Sequence, residues 1–319
     1  MSDRVIGMRD TALLSVACAA GVVVAPQFPY VGLPVTAAAA AGLAYGGRTV
    51  ASIVAALIGA ALAAAVLPHS AAFAIPVSAA VLLAVWLLRT RSAQFVGLVL
   101  TLAIAGGAIA ADALSARSVG QSLVEAMRAQ AVTLTEGLRQ ALGPSAANLS
   151  DQLATLRPVL ASLWPSFYVQ SAIFVAVFVI VAIAWAARRS GVEIAVPAAK
   201  ELDLSVHVVW PFVIGLVAVA AASLLGANTA VARAVGFNAL YIARTLFFIQ
   251  GVAVVSALFD VPKSGHVKMV ALYVVLWVLD QFLLIVSLVG MLDFWANFRR
   301  LPREASAKPI SLEEPPGSI

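Results

Sequence analysis

The chain has 319 residues, of which 62% are hydrophobic and only 11% charged, with a mean hydropathy of +1.01 and a net charge of +5. A water-soluble domain is about half apolar and about a quarter charged, so this composition excludes a soluble globule and calls for lipid as the solvent. The single cysteine, Cys18, excludes an internal disulfide. His69, His207 and His266 are too scattered for zinc-ligand spacing, and no loop interleaves basic and aromatic residues densely enough to suggest nucleic acid.

Arg4 and Arg9 precede an apolar run from Thr11 to Ala25. Ser15-Val16-Ala17 before Cys18 lacks the leucine of a lipoprotein signal, and further apolar runs follow at once, so an uncleaved first helix is expected. Pro26-Gln27-Phe28-Pro29-Tyr30 breaks the chain before a second run, Val31 to Gly46. Both runs are short of the roughly 20 residues a span needs, which leaves two tilted spans or a partly re-entrant hairpin. Better spans follow at Thr49 to Leu67, Ala71 to Leu88 and Ala93 to Leu114. Later come Phe167 to Ala187, Val208 to Gly226, Phe237 to Phe259 and Val267 to Met291. The expected fold is all-α, a polytopic transmembrane helix bundle of about 8–9 spans. Small residues at Gly42 and Gly46, at Ala55, Gly59 and Ala63, and at Gly106 and Gly107 suit close helix packing.

Residues 116–164 differ in pattern. Leu123, Met127, Leu134, Leu138 and Leu142 recur at helical spacing, and Glu125 with Arg128 and Glu136 with Arg139 can pair along the polar side. Gly143-Pro144 ends that helix, and Asn148 or Ser150 can cap the next. The second helix carries Leu149, Leu153, Leu156, Leu160 and Leu163, a stripe too short for a coiled coil. This amphipathic segment either lies on the membrane or docks a partner, or packs as a lid on its own bundle. The organisation expected is N-terminal membrane helices over 1–115, the amphipathic segment over 116–164, C-terminal membrane helices over 165–300 and a disordered Pro- and Glu-bearing tail over 301–319.

With the N-terminus inside, Arg48, Arg89, Arg91, Arg188, Arg189, Lys263 and Lys268 fall on the cytoplasmic side, as positive residues prefer. Nine full spans, however, place Arg299, Arg300 and Arg303 outside. Either one segment does not cross or the tail violates the rule.

Arg244 and Asp280 lie deep in apolar runs, where a charge costs about 2.5–3.5 kcal/mol on insertion scales. Counted from the short link Asp260 to His266, they sit roughly 24 and 21 Å deep at about 1.5 Å per residue. In an antiparallel hairpin they are nearly level, so a buried ion pair is expected. It serves either as a clasp or as a polar centre for a substrate or proton. Asn238, Tyr241, Thr245 and Phe248 share one helix face, Gln250 follows, and Trp277 and Gln281 flank Asp280. The candidate substrate-binding set is therefore Asn238, Tyr241, Arg244, Gln250, Trp277, Asp280 and Gln281.

The run Phe247-Phe248-Ile249-Gln250-Gly251 followed by Gly290-Met291-Leu292-Asp293-Phe294-Trp295-Ala296-Asn297-Phe298-Arg299 resembles the YybS-like family of bacterial membrane proteins, a family of unknown activity. Gln250, Gly251, Gly290, Asp293 and Arg299 match its pattern. The resemblance implies a bacterial cytoplasmic membrane location. It also implies a distant similarity to the substrate-binding components of energy-coupling-factor vitamin transporters, although this chain is longer than their six-helix pattern. Two functions follow. One is small-molecule binding or transport, with any ATP drive supplied by a separate ATPase module. The other is a non-transporting scaffold or envelope assembly factor that docks other membrane proteins. The chain carries no H-E-x-x-H helix, no G-x-S-x-G elbow and no nucleotide-binding loop, so neither an enzyme nor a cofactor is expected.

Overall fold

A computed structural model of the protein describes residues 7–143, 150–194, 196–224, 229–259 and 266–301. The expected helix end at Pro144, the cap at Asn148, the link from Asp260 and the tail from Pro302 lie outside the described residues. The described chain is all-helical. In order come α1 (Met8–Val24), α2 (Pro29–Tyr45), α3 (Thr49–Val66), α4 (Ala71–Leu87), α5 (Ala93–Ser118) and α6 (Leu123–Leu142). They are followed by α7 (Ser150–Arg189), α8 (Val209–Leu224), α9 (Thr229–Leu258), α10 (His266–Leu283) and α11 (Ile285–Ala296).

Among the described residues, six stretches are long and apolar enough to cross a bilayer: α3, α5, α7 and α9, and α4 and α8 each with its preceding turn. The pair α10–α11 is bent by 93° and brings the total to at most seven. This is fewer than the expected eight or nine for two reasons. Helices α1 and α2 have only 17 residues each. The run from Val267 to Met291, expected as one span, is interrupted at Leu284, a non-glycine residue with φ 55°.

The chain divides into two compact units, one formed by Met1–Pro197 with His207–Ala243 and the other by Ala198–Val206 with Arg244–Ile319. In the first unit, backbone proximity replaces bulky packing. A Cβ added to Gly21 would lie 2.5 Å from the Thr36 hydroxyl and 2.8 Å from the Gly32 carbonyl, so α1 and α2 touch backbone to backbone. Gly59 brings α3 equally close to α1, with Ala19 O 2.6 Å from the corresponding Cβ position. Gly106, singled out by the same reasoning, faces open space. Around this contact Leu33, Leu43, Val77, Leu88 and Leu100 are fully buried.

Helix α6 begins with a capping box. The Ser122 hydroxyl accepts the Glu125 N–H, and the Glu125 carboxylate accepts the Ser122 N–H at 2.8 Å. These Ser122 bonds, backbone first, hold the Glu125 carboxyl below the usual carboxylate range. Glu125 is thus engaged by Ser122 rather than principally by Arg128. The expected Glu136–Arg139 pair is present at 3.8 Å, and Arg157 of α7 also reaches Glu136 at 3.6 Å. The inward face of α6 carries Met127, Ala131 and Thr135, while Leu134 and Leu138 of the predicted stripe are exposed. Helix α7 merges the second amphipathic stretch with the following span. Its 40 residues make about 60 Å of helix, twice a bilayer core of about 30 Å.

Candidate functional site

The seven predicted site residues are divided between the two units. In the first unit, Asn238 and Tyr241 stitch α9 to α7. Pro165 interrupts the α7 hydrogen-bond ladder, and the Asn238 amide fills the gap. It accepts the Ser166 N–H at 2.9 Å and donates to the Ser162 carbonyl at 2.8 Å. An unbroken helix would join those two groups to each other. One turn on, the Tyr241 hydroxyl donates to Gln170 at 3.1 Å, and its ring meets Phe167 edge-on.

The second unit contains two ionic centres. In the first, Arg244 Nη2 donates to the Asp280 carboxylate at 3.3 Å and to the Asp280 carbonyl at 2.7 Å. The expected pair is therefore present, and Asp280 has a further role. Its carboxylate accepts the Ser287 N–H and the Ser287 hydroxyl, each at 2.8 Å. Ser287 is the third residue of α11, so Asp280 caps the helix that begins at the bend. The N-terminal amide end of α11 and the Arg244 guanidinium thus converge on one carboxylate. The same side chain thus ends one helix, starts the next and neutralises Arg244. Trp277 and Gln281 are not part of this centre. Trp277 is 47% exposed, and Gln281 turns outward to donate only to the Trp277 carbonyl.

The second centre gathers the residues of the Gln250–Arg299 motif. Gly251 of α9 and Gly290 of α11 face each other. A Cβ on Gly290 would collide with the Phe247 carbonyl and lie 3.0 Å from the Gly251 Cα. Two glycines at the crossing let the helices approach to backbone contact, and that approach brings Gln250 to Asp293. Gln250 donates to Asp293 at 3.0 Å and to Asp203 at 2.8 Å, and it accepts the Leu204 N–H at 3.0 Å. Arg299 donates through Nε and Nη2 to Asp293, through Nη2 to Asp203, and through Nη1 to the carbonyls of Lys200 and Leu202. A guanidinium has five N–H donors, and these five bonds use them all. The Arg299 side chain is 1% exposed and Asp293 is 0% exposed, and the second Asp293 oxygen accepts the Phe298 N–H.

Asp203 and Ser287 were not anticipated as partners. Asp203 sits in a short mixed-charge loop that gives no local signal, and Ser287 lies in what reads as an uninterrupted span. A serine seven residues after an intramembrane aspartate was the available cue.

Among the described residues there is no group of three or more His, Cys, Asp or Glu side chains able to hold a metal ion. No described buried side-chain nitrogen or oxygen lacks a hydrogen-bond partner. The polar centres are closed networks of the kind that orders helices within a membrane.

These features define a multi-pass, all-helical membrane protein whose interior charges are paired with one another. The chain belongs to the family described as Predicted membrane protein (DUF2232), whose model matches residues 11–294. No curated protein and no solved structure matches it.

Proposed function

We propose that this protein is a non-transporting membrane scaffold, a docking or assembly component of the bacterial cytoplasmic membrane, and that its C-terminal polar residues are structural clasps rather than a substrate site. The observation that carries this reading is saturation. Every donor of Arg299 and Gln250 is used within the protein, leaving none to recognise a solute. The reading is also non-enzymatic. The projecting half of α7 and the α6 packed along it supply the docking surface, with Val124, Val132, Leu134 and Leu138 exposed on α6. Its partners are other membrane proteins and lipid.

The closed networks also support a topology of eight crossings. These are the six long helices together with α1 and α2, while α10–α11 enters the bilayer and returns. Residues 198–206 follow the Arg188–Arg189 end of α7 and precede α8, so they belong to the face where α7 ends. Arg299 is bonded to the carbonyls of Lys200 and Leu202 in that segment. Two crossings, α8 and α9, bring the chain back to the same face before α10 begins. A 93° bend then lets the chain reach Arg299 without crossing. With the N-terminus inside, Arg48, Arg89, Arg91, Arg188, Arg189, Arg299 and Arg300 all lie on the cytoplasmic face, which removes the conflict with the positive-inside rule.

The second reading, a solute-binding bundle related to the YybS-like family and to energy-coupling-factor components, rests on the sequence resemblance and on one open cavity in the first unit, far in sequence from the motif residues. The test is purification from native membranes in mild detergent with mass spectrometry of bound proteins and small molecules, for the wild type and for an Arg244→Met/Asp280→Leu double variant. The scaffold reading expects the same stoichiometric membrane-protein partner from both. A copurifying ATPase module, or a bound small molecule that the double variant loses, overturns it.

A further inference from the structure

An open cavity of about 410 Å³ lies between α5, α6 and α7, a size within the range of small-molecule sites. Its polar and apolar walls are unequal in an informative way. Among the described residues, no lysine, arginine or histidine lines it, and Asp112 is the one acidic residue in its wall. Among the described residues, the Asp112 carboxylate meets a single polar partner, the Tyr168 hydroxyl, which donates to it, and no cation. This differs from the second unit, where both Arg244 and Arg299 are matched by carboxylates. Around Asp112 the walls are aromatic and soft. Trp164 and Tyr168 stand at 88° to each other with centroids 5.9 Å apart, forming two perpendicular faces of a box, and Phe167 and the Met127 thioether complete it.

We propose that this cavity binds an organic ammonium group carried on an apolar body. A carboxylate without a cation attracts a positive charge and rejects an anion. Aromatic faces stabilise a diffuse, weakly hydrated cation such as an alkylated ammonium better than a small, strongly hydrated metal ion. The remaining apolar wall, including Leu134 and Leu160, suits a hydrocarbon portion. Asp112 lies six residues before the end of α5, a placement suited to an amphiphile whose head stays near the membrane surface while its body enters the groove. The ammonium source is either a free lipophilic amine or the headgroup of an aminophospholipid. This inference is independent of the scaffold reading, because it concerns the purified chain without partners.

The probe is radiolabelled benzyltrimethylammonium, titrated against the full-length protein in nanodiscs, with its uncharged carbon isostere neopentylbenzene as competitor. Saturable binding is expected that Asp112→Asn weakens at least tenfold, that Trp164→Leu weakens severalfold, and that the neutral isostere fails to displace. Although the Met127 sulfur itself lies 3.9 Å from the Tyr168 hydroxyl, Met127→Arg places a cation in the groove and keeps both Asp112 and Tyr168. It should abolish binding while leaving the helical circular dichroism and gel-filtration profile unchanged, so a folding defect in Asp112→Asn does not blunt the test. At a fixed fraction of anionic lipid, apparent affinity that falls when phosphatidylethanolamine replaces an uncharged glucosyl diacylglycerol identifies the lipid headgroup as occupant, and equal affinity identifies a free amine. The proposal is overturned by an absence of saturable binding, by displacement with the uncharged isostere, or by wild-type affinity in both Asp112→Asn and Met127→Arg.

Discussion

Replacing Arg299 by glutamine tests the clasp at its most loaded point. The wild-type side chain is 1% exposed and donates five hydrogen bonds. Its loss leaves Asp293, fully buried, and Asp203 without their cation. Removing one member of a buried ion pair costs about 3–5 kcal/mol, mostly because the charge left behind is uncompensated. At about 1.4 kcal/mol per tenfold change, that lowers hydrogen-exchange protection of the α11 amides by about 10²- to 10⁴-fold, up to the limit set by global unfolding. Lysine should not rescue, because three rotating donors cannot satisfy a fork of five. The assay is hydrogen exchange with mass spectrometry on detergent-purified protein, following peptides from 285–296 and from 198–206. Both should lose protection together, since Arg299 bonds to both. Unchanged protection in Arg299→Gln, or loss confined to one of the two peptides, would refute the reasoning.

Three further outcomes follow from the same structure. Asp280→Asn and Arg244→Gln should each lower thermal stability in detergent, and a double-mutant cycle should return a coupling of about 0.5–3 kcal/mol, whereas strictly additive effects would mean that the pair does no work. Leu284→Gly should leave stability unchanged or raise it by up to about 1 kcal/mol, because Leu284 already occupies the left-handed region. In a continuous helix the same change would cost about 1 kcal/mol, so a clear loss would argue against the bend. Glu125 has a lowered pKa in the folded chain, so the capping box contributes fully above the ordinary glutamate value near about 4.3 and is lost as pH falls through the lowered folded value. Amide exchange in the first turn of α6, corrected for intrinsic rates, should therefore quicken on acidification in the wild type, and a Glu125→Gln variant should lack that acid-specific step.

The membrane class was legible because composition reports the solvent directly. The Arg244–Asp280 pair was also legible, since helix rise and a short link place the two charges at one depth. The bend was not. Leu283-Leu284-Ile285 contains neither glycine nor proline, and the signal at the break is a side-chain cap, the Asp280 carboxylate taking the Ser287 N–H seven residues on. Gln281 was grouped with Asp280 by adjacency, but one residue along a helix is a turn of about 100°, which carries it to the outer face. The motif residues Gln250, Gly251, Gly290, Asp293 and Arg299 were recognisable as a set, yet their meaning depended on Asp203, 90 residues from Asp293 and held there by tertiary contact alone. On α6, the stripe left open which face packs inward: Met127 turns in with Ala131 and Thr135, small residues that contribute little to a hydrophobic pattern, whereas Leu134 and Leu138 stay exposed.

The central claim is that the bond network around Arg299 holds the C-terminal end of α11 on the same membrane face as residues 198–206. Its most direct test is cysteine accessibility in sealed, oriented membrane vesicles. With Cys18 replaced by alanine, Glu201→Cys and Arg300→Cys, both at exposed positions, are labelled separately with a membrane-impermeant maleimide. Labelling of both from the cytoplasmic face is the predicted result. Labelling of the two positions from opposite faces would mean that α10–α11 crosses the bilayer and that the bond network around Arg299 does not exist in the membrane.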